Sequence, residues 1–292
     1  MKLPLLSLAL FLTALGPVLA AELPIPDGVT FTRDLEFSNP GNQHLQVNLA
    51  QPRGDGPFPA IVCIHGGGFR AGKRESYDKL CLTLASRGYV AITVTYRLAP
   101  MDPFPAAVLD CKAAVRWLRA NAAKYHVDPA RLGVTGGSAG GHLAQFLGVT
   151  QGVQEFEAGE HLEQSSAVSC VVNFYGPSDF TRSYEKSTDA KDVLPLFFGG
   201  DLSTKRREHI VGSPLYWATP AAAPTLDVQG TLDDHVAYEQ GVWMVERLKA
   251  CAVEAELLTM EGAGHGFKGP DAEKAEAALL AFFDAHLHPA GR

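Results

Sequence analysis

The chain lacks the sequence features that mark metal, phosphate or nucleic-acid sites. Among its 292 residues only five are cysteines, and neither a Cys-x-x-Cys pair nor paired histidines indicate a metal site. Gly72-Lys73-Arg74 lacks the spacing of a phosphate loop. A formal charge of −7 leaves no basic patch for nucleic acid, and the chain contains no internal repeat. These absences direct attention to chemistry done by the side chains themselves.

The N-terminal segment reads as a targeting signal. Lys2 precedes an apolar run from Leu3 to Leu12, and Val18-Leu19-Ala20 supplies small residues at a cleavage site. The run is too short and too early for a membrane span, although an uncleaved anchor is the alternative. We predict a signal peptide over residues 1–20, cleaved near Ala20, and export to the periplasm or beyond without stable membrane insertion. Residues 21–292 then form one domain.

The rest of the chain alternates between strand and helix patterns. An Asn39-Pro40-Gly41-Asn42 turn joins two strands into an antiparallel hairpin. Strand-length apolar runs then alternate with helical patterns, which indicates an α/β fold with a mostly parallel sheet. The strands are expected at 30–37, 44–50, 60–64, 90–94, 131–135, 167–174, 223–229 and 256–260, and the helices at 76–87, 104–125, 142–147, 238–250 and 271–286. Asp110, Arg116 and Arg119 on the helix at 104–125 are expected to be solvated or ion-paired.

Two features are less regular. An aromatic stretch within residues 176–220 contains no sheet element and predicts an irregular insertion that forms either a lid or pocket wall, or a structural cap. The cysteines Cys63 and Cys170 lie in apolar runs and are expected to be buried thiols. A disulfide between Cys81 and Cys111 is an open alternative in an exported protein.

Two glycine-rich stretches point to a nucleophilic serine. Gly136-Gly137-Ser138-Ala139-Gly140 lies between a predicted strand and a helix, where the Gly-x-Ser-x-Gly pattern forms a sharp turn that exposes the serine. Alone, it could equally be a turn with an idle serine. His65-Gly66-Gly67-Gly68-Phe69 follows another predicted strand, and its glycines allow backbone N–H groups to converge as an oxyanion hole. The two stretches together favour catalysis by Ser138.

A serine nucleophile needs a base and an acid that orients the base. Among ten histidines, His265 stands out because it lies in a glycine-rich loop directly after a strand. Asp233 follows a strand end in the same way and is preferred to Asp234 and to Asp227, which falls inside a strand. The order Ser138, Asp233, His265 is the one expected for α/β-hydrolases. The histidines in polar stretches are expected at the surface: His44, His126, His161 and His209.

These motifs resemble the α/β-hydrolase superfamily, in particular its hormone-sensitive-lipase-like esterase branch. The residues that carry the resemblance, about 45 to 285, include His65 to Phe69, Tyr96 to Pro100, Phe104 to Ala107, Gly136 to Gly141, and Gly264 to Phe267. Residues 111–119 and 174–180 are similar to a subgroup of secreted bacterial feruloyl and acetyl-xylan esterases. Many relatives have His-Gly and Val-Pro around the acid loop, where this chain has Gln229-Gly230 and Val236-Ala237.

The resemblance implies an α/β-hydrolase fold with about eight strands, no cofactor and no metal. It also implies an oxyanion hole formed by the backbone N–H groups of Gly67, Gly68 and Ala139. Phe69 and Tyr175 are expected to contact the substrate.

We therefore predict a secreted serine carboxylesterase that hydrolyses short-chain acyl, acetyl or feruloyl esters through an acyl-enzyme. Its substrate is expected to be a small-molecule or polysaccharide-linked ester. The alternatives are an amide hydrolase of the arylformamidase or peptidase type, or a lipase. A non-enzymatic binding module is disfavoured because Ser138, Asp233 and His265 are all present.

Overall fold

A computed structural model describes residues 23–288 of the chain. The predicted signal peptide and its cleavage site lie outside the described residues. Within residues 23–288, none of the helices has the length and apolar character needed to cross a membrane.

Eight strands form one mostly parallel sheet, as predicted. The outer strands β1 and β2 are antiparallel, and β2 also pairs antiparallel with β4. The other neighbours are parallel, in the order β1-β2-β4-β3-β5-β6-β7-β8. The bounds are β1 (Val29–Ser38), β2 (Leu45–Pro52), β3 (Phe58–Ile64), β4 (Val90–Val94), β5 (Val127–Gly137), β6 (Cys170–Phe174), β7 (Thr225–Gly230) and β8 (Ala255–Met260).

Helices cover both faces of this sheet. Alternate residues of a strand point to opposite faces, so Val62 and Ile64 of β3 pack against α2 and α3, whereas Ile61 and Cys63 pack against α1 and α8. This two-sided burial explains why the central strands read as continuous apolar runs. The helices are α1 (Asp78–Ser86), α2 (Ala106–Ala120), α3 (Ala139–Val149), α4 (Phe180–Lys186), α5 (Ala190–Phe198), α6 (Arg206–Val211), α7 (Glu239–Ala250) and α8 (Pro270–Leu287).

Two expectations about local structure are wrong. The helix expected over 104–125 ends at Ala120, where the side-chain amide of Asn121 donates to the carbonyl of Trp117 and competes with the helical pattern. The stretch expected to be irregular contains three helices, α4, α5 and α6. These helices are only six to nine residues long, too short to produce a clear apolar period in the sequence.

The disulfide between Cys81 and Cys111, which the sequence left open as an alternative, is absent, since all five cysteines are free thiols. Cys81 lies in α1, in the apolar cluster on one face of the sheet, and Cys111 lies in α2, in the cluster on the other face. The sheet itself therefore separates the two sulfur atoms. Cys63 and Cys170 are buried as predicted.

Candidate active site

Ser138 occupies a strained turn between β5 and α3. Its φ of 57° and ψ of −122° are rare for a residue with a side chain. A Cβ atom at Gly136 would lie 2.4 Å from the backbone of Gly140, and one at Gly140 would lie 2.1 Å from the carbonyl oxygen of Ile64. The two glycines are required because backbone segments approach each other here. This is the geometry of a nucleophile elbow.

The structure brings the three predicted residues together. His265 Nε2 lies 3.0 Å from Ser138 Oγ, and His265 Nδ1 lies 2.8 Å from Asp233 Oδ2. Since β5, β6, β7 and β8 are parallel neighbours, the loops that follow them emerge at one edge of the sheet. The Asp233 side chain is buried, so its carboxylate accepts the Nδ1 hydrogen and leaves Nε2 free to accept the serine proton.

The Asp233 carboxylate is held on both oxygens. Oδ1 accepts the backbone N–H groups of His235 at 3.0 Å and Val236 at 2.8 Å. Oδ2 accepts the side-chain amide of Gln229 at 3.2 Å in addition to His265. Gln229 stands where the resemblance to the esterase branch implies a histidine, and its Nε2 also donates to the Val236 carbonyl. The departure from the family pattern therefore keeps a hydrogen-bond donor against the acid.

The glycine loop lies directly against the serine. A Cβ atom on Gly66 would be 3.3 Å from that of Ser138. Gly67, Gly68 and Phe69 all have positive φ, at 120°, 58° and 59°, and such a run of left-handed residues turns successive N–H groups to one side. Ala139 is the first residue of α3, where the backbone N–H has no partner within the helix.

Two cavities meet at Ser138 and His265. The smaller, of about 70 Å³, is bounded by apolar side chains that include Phe69, Phe180 of α4, and Val193 of α5. The larger is an open cleft of about 520 Å³. It is lined by Arg70, Tyr77 and Tyr175, together with the glycine loop.

The two side chains expected to contact substrate therefore lie on different sides of the serine. Phe69 is buried, stacks on Phe197 with ring centroids 3.8 Å apart, and lines the smaller cavity. Tyr175 lines the cleft and meets the ring of His265 edge-on at 4.9 Å.

Sequence reasoning missed two residues at this site, His235 and Asp189. Both line the small cavity and the cleft. His235 follows Asp233 by two positions, which is the one signal that could have found it. Asp189 precedes α5 in the insertion, and nothing local in the sequence distinguishes it from other exposed carboxylates.

Three further histidines, His65, His142 and His209, are buried and pack within the fold. His65 stacks on Tyr96 and burial lowers its pKa. His142 is buried behind the serine turn, where desolvation lowers its pKa to about 3. His209, expected at the surface, is fully buried against Phe198 and bonded to the hydroxyl of Tyr184. The polar residues around His209 in the sequence face outward from α6 while the histidine faces inward, so local composition was misleading.

The other two candidate acids lie apart from His265. Asp234 is exposed at the surface. Asp227 is fully buried in β7, where Oδ2 accepts the side-chain amide of Asn173 and Oδ1 has no hydrogen-bond partner within residues 23–288. Burial raises the pKa of Asp227 to about 7.

This buried carboxyl predicts a pH dependence of stability. Folded Asp227 keeps its proton up to about pH 7, whereas the unfolded chain loses it near pH 4. Between these values the folded state binds more protons, so this group makes the free energy of unfolding fall as pH rises. Asp227→Asn cannot ionise, although its amide adds an unpaired donor, and we expect a net gain of about 1–2 kcal/mol at pH 8. Urea unfolding at pH 5 and pH 8 measures this difference.

Asp234→Asn is the matched control, because an exposed carboxylate should change stability by about 0.5 kcal/mol or less. A loss of stability in Asp227→Asn at pH 8, or the same response in both variants, would contradict the assignment.

Comparison with known proteins identifies the family. Residues 46–248 match the family model described as BD-FAE. Esterase LipC of Mycobacterium tuberculosis is 32% identical over 238 residues, 80% of this chain, which spans only 59% of that relative's length. Carboxylesterase NlhH of the same organism is 40% identical over 246 residues, covering 79% of this chain and 75% of the relative.

A solved structure described as a truncated form of carbohydrate esterase from gut microbiota aligns over 89% of this chain and 96% of its own, with a TM-score of 0.79 and 25% identity. The family match, the relatives and the structural neighbour agree with the eight-stranded, mostly parallel sheet flanked by helices. The chain therefore belongs to the BD-FAE family of α/β-hydrolase esterases.

Proposed function

We propose that the protein is a carboxylesterase in which Ser138, His265 and Asp233 act as a catalytic triad. The observation that carries this proposal is the chain of two hydrogen bonds, 3.0 Å and 2.8 Å long, from the serine through the histidine to the buried aspartate. The esterase names of its relatives and of its structural neighbour support the same reaction class.

The reaction begins when Ser138 Oγ attacks the ester carbonyl and His265 Nε2 takes its proton. Asp233 holds the imidazole with Nδ1 protonated and stabilises the imidazolium that forms. The N–H groups of Gly67, Gly68 and Ala139 stabilise the oxyanion, each donor contributing about 3 kcal/mol to lowering the barrier. The imidazolium gives its proton to the leaving alcohol. Water, activated by His265, then hydrolyses the acyl-enzyme.

The two cavities suggest how the ester lies across the site. The small, mostly apolar cavity suits the acyl group, and the larger cleft suits an alcohol that continues into a larger molecule. An apolar cavity of roughly 150 Å³ holds one benzene ring, whereas the small cavity measures about 70 Å³. We therefore favour acetyl and other short acyl groups over a feruloyl group or a lipase-like long chain, with a small-molecule or polysaccharide-linked ester as substrate. Export after signal-peptide cleavage belongs to the same proposal, because such polymers lie outside the cell.

A panel of esters tests this proposal on the protein comprising residues 21–292. The substrates are acetyl, butyryl and dodecanoyl p-nitrophenyl esters, methyl ferulate and acetylated xylan. We expect kcat/KM to be highest for the acetyl ester, to fall at least about tenfold at the dodecanoyl ester, and to be low for ferulate. Turnover that rises with chain length would point to a lipase, and hydrolysis of amides in place of esters would point to an amidase.

A further inference from the structure

A second histidine–carboxylate pair lies beside the first. His235 Nδ1 is 3.1 Å from Asp189 Oδ2, and the rings of His235 and His265 are 5.0 Å apart between centroids. Nδ1 is the ring nitrogen that faces this carboxylate, so Nε2 is the ring nitrogen left for a ligand, and it is an acceptor in the tautomer that carries the hydrogen on Nδ1. The nearest carboxylate oxygen to Nε2, Asp234 Oδ1, is 3.9 Å away, beyond hydrogen-bonding distance.

Hydrogen bonds hold the chain segments that carry His235 and Asp189. The backbone N–H of His235 donates to Asp233, which fixes the His235 backbone relative to the catalytic acid. Asp189 is oriented by the Ser187 hydroxyl, which donates to its other oxygen at 3.0 Å. The N–H of Thr188 donates to the carbonyl of Asp234 at 2.8 Å and ties the insertion to the acid loop. The chain segments that carry His235 and Asp189 are therefore tied to each other and to the catalytic acid.

His235 and Asp189 also line both the small cavity and the larger cleft. Their side chains are 45% and 41% exposed, so a ligand in the cleft can reach them. A group bound there sits next to the ester carbon, because His265, 5.0 Å from His235, is bonded to Ser138. The part of the substrate that meets His235 in the cleft is the alcohol portion, close to its ester oxygen.

We propose that His235, oriented by Asp189, accepts a hydrogen bond from a hydroxyl group on the alcohol portion of the ester. The pair thereby selects esters of polyols and sugars over esters of simple alkyl alcohols. His235 is a specificity-determining residue, and the proton transfers remain with His265. This inference rests on the proposed esterase function and names the chemistry of its alcohol.

Two acetates with the same three-carbon alcohol test this inference: glycerol 1-acetate, which keeps two hydroxyl groups, and propyl acetate, which has none. His235→Phe keeps a flat ring and removes both nitrogens. We expect kcat/KM for glycerol 1-acetate to fall about three- to tenfold, the effect of one hydrogen bond, while propyl acetate changes by about twofold or less. Asp189→Ala should shift the ratio in the same direction because it frees the imidazole to rotate.

His44→Phe is the matched control. His44 forms a comparable pair with Glu36 at 2.7 Å, with exposures of 56% and 47%, on the outer strands. This control should leave both rates unchanged. Equal losses on both acetates in His235→Phe would mean that the ring only supports His265 or the loop, and no loss on either would mean that it does not contact the alcohol. Both outcomes overturn the inference. Failure of the unsubstituted protein to hydrolyse either acetate would instead overturn the proposed function.

Discussion

Replacing Ser138 by alanine is expected to lower kcat for an acetyl ester by about 10⁶-fold. The hydroxyl is the only group in the hydrogen-bonded triad that can form the acyl-enzyme, and His265 Nε2 lies 3.0 Å from it, within reach of its proton. Binding should survive, because Phe69 and Tyr175, which line the two cavities, are untouched. Steady-state kinetics with p-nitrophenyl acetate measures the loss, and ligand titration measures the retained binding.

The triad also predicts non-additivity. His265→Ala alone should cost about as much as Ser138→Ala, and the double variant should cost no more than either, because each change disables the same unit. Ser169→Ala is the matched control. Ser169 is half-buried just before β6, its hydroxyl donates to the Ala130 carbonyl, and it should not be needed for activity, so this variant should retain full activity. Hydrolysis that persists in Ser138→Ala, or losses that multiply in the double variant, would show that Ser138 and His265 do not act together.

The strands of the fold could be predicted because the sequence pattern that marks each strand lies within the strand itself. Each central strand is buried on both faces, so apolar runs such as 60–64 and 90–94 report a strand directly. The site was predictable for a related reason. Ser138, Asp233 and His265 each follow a strand end, and parallel strands bring their following loops to one edge. The sequence motifs and the order of the strands therefore both place these three residues at the same edge of the sheet.

What could not be predicted depends on where side chains point after the chain has packed. His235 is adjacent to the acid loop, yet its contact with Asp189 joins residues 46 positions apart through an insertion whose short helices leave no period. The placement of Cys81 and Cys111 on opposite faces of the sheet likewise requires the finished topology.

The sequence also did not reveal how deeply the charged side chains of α2 are buried. Arg116 was expected to be solvated or ion-paired, and it is ion-paired but fully buried, with Lys112 one turn before it. Glu157 serves both cations: Oε1 accepts Lys112 Nζ at 2.8 Å and Oε2 accepts Arg116 Nη1 at 2.6 Å. The hydroxyl of Ser166 also donates to Glu157. Burial lowers the pKa of Lys112 and of Arg116, and the nearby Glu157 carboxylate opposes this shift in both.

This cluster predicts the largest effect on stability. Glu157→Gln removes the one carboxylate that both cations contact, and we expect the free energy of unfolding to fall by about 3–5 kcal/mol. The loss exceeds that of an ordinary hydrogen bond because two desolvated positive charges are left facing each other. Urea unfolding at pH 7, followed by circular dichroism, measures the change.

The matched control is Glu155→Gln, two residues before Glu157. Glu155 pairs with Arg207 at 3.4 Å, but both side chains are exposed, so Glu155→Gln should cost about 0.5 kcal/mol or less. A small effect in both variants would mean that water reaches Lys112 and Arg116 and that the cluster behaves as a surface network. A large effect confined to Glu157→Gln would mean that the loop over residues 151–164 is anchored by buried charge. Its attachment to α2 would then be specified by a few long-range contacts, while apolar packing holds the sheet.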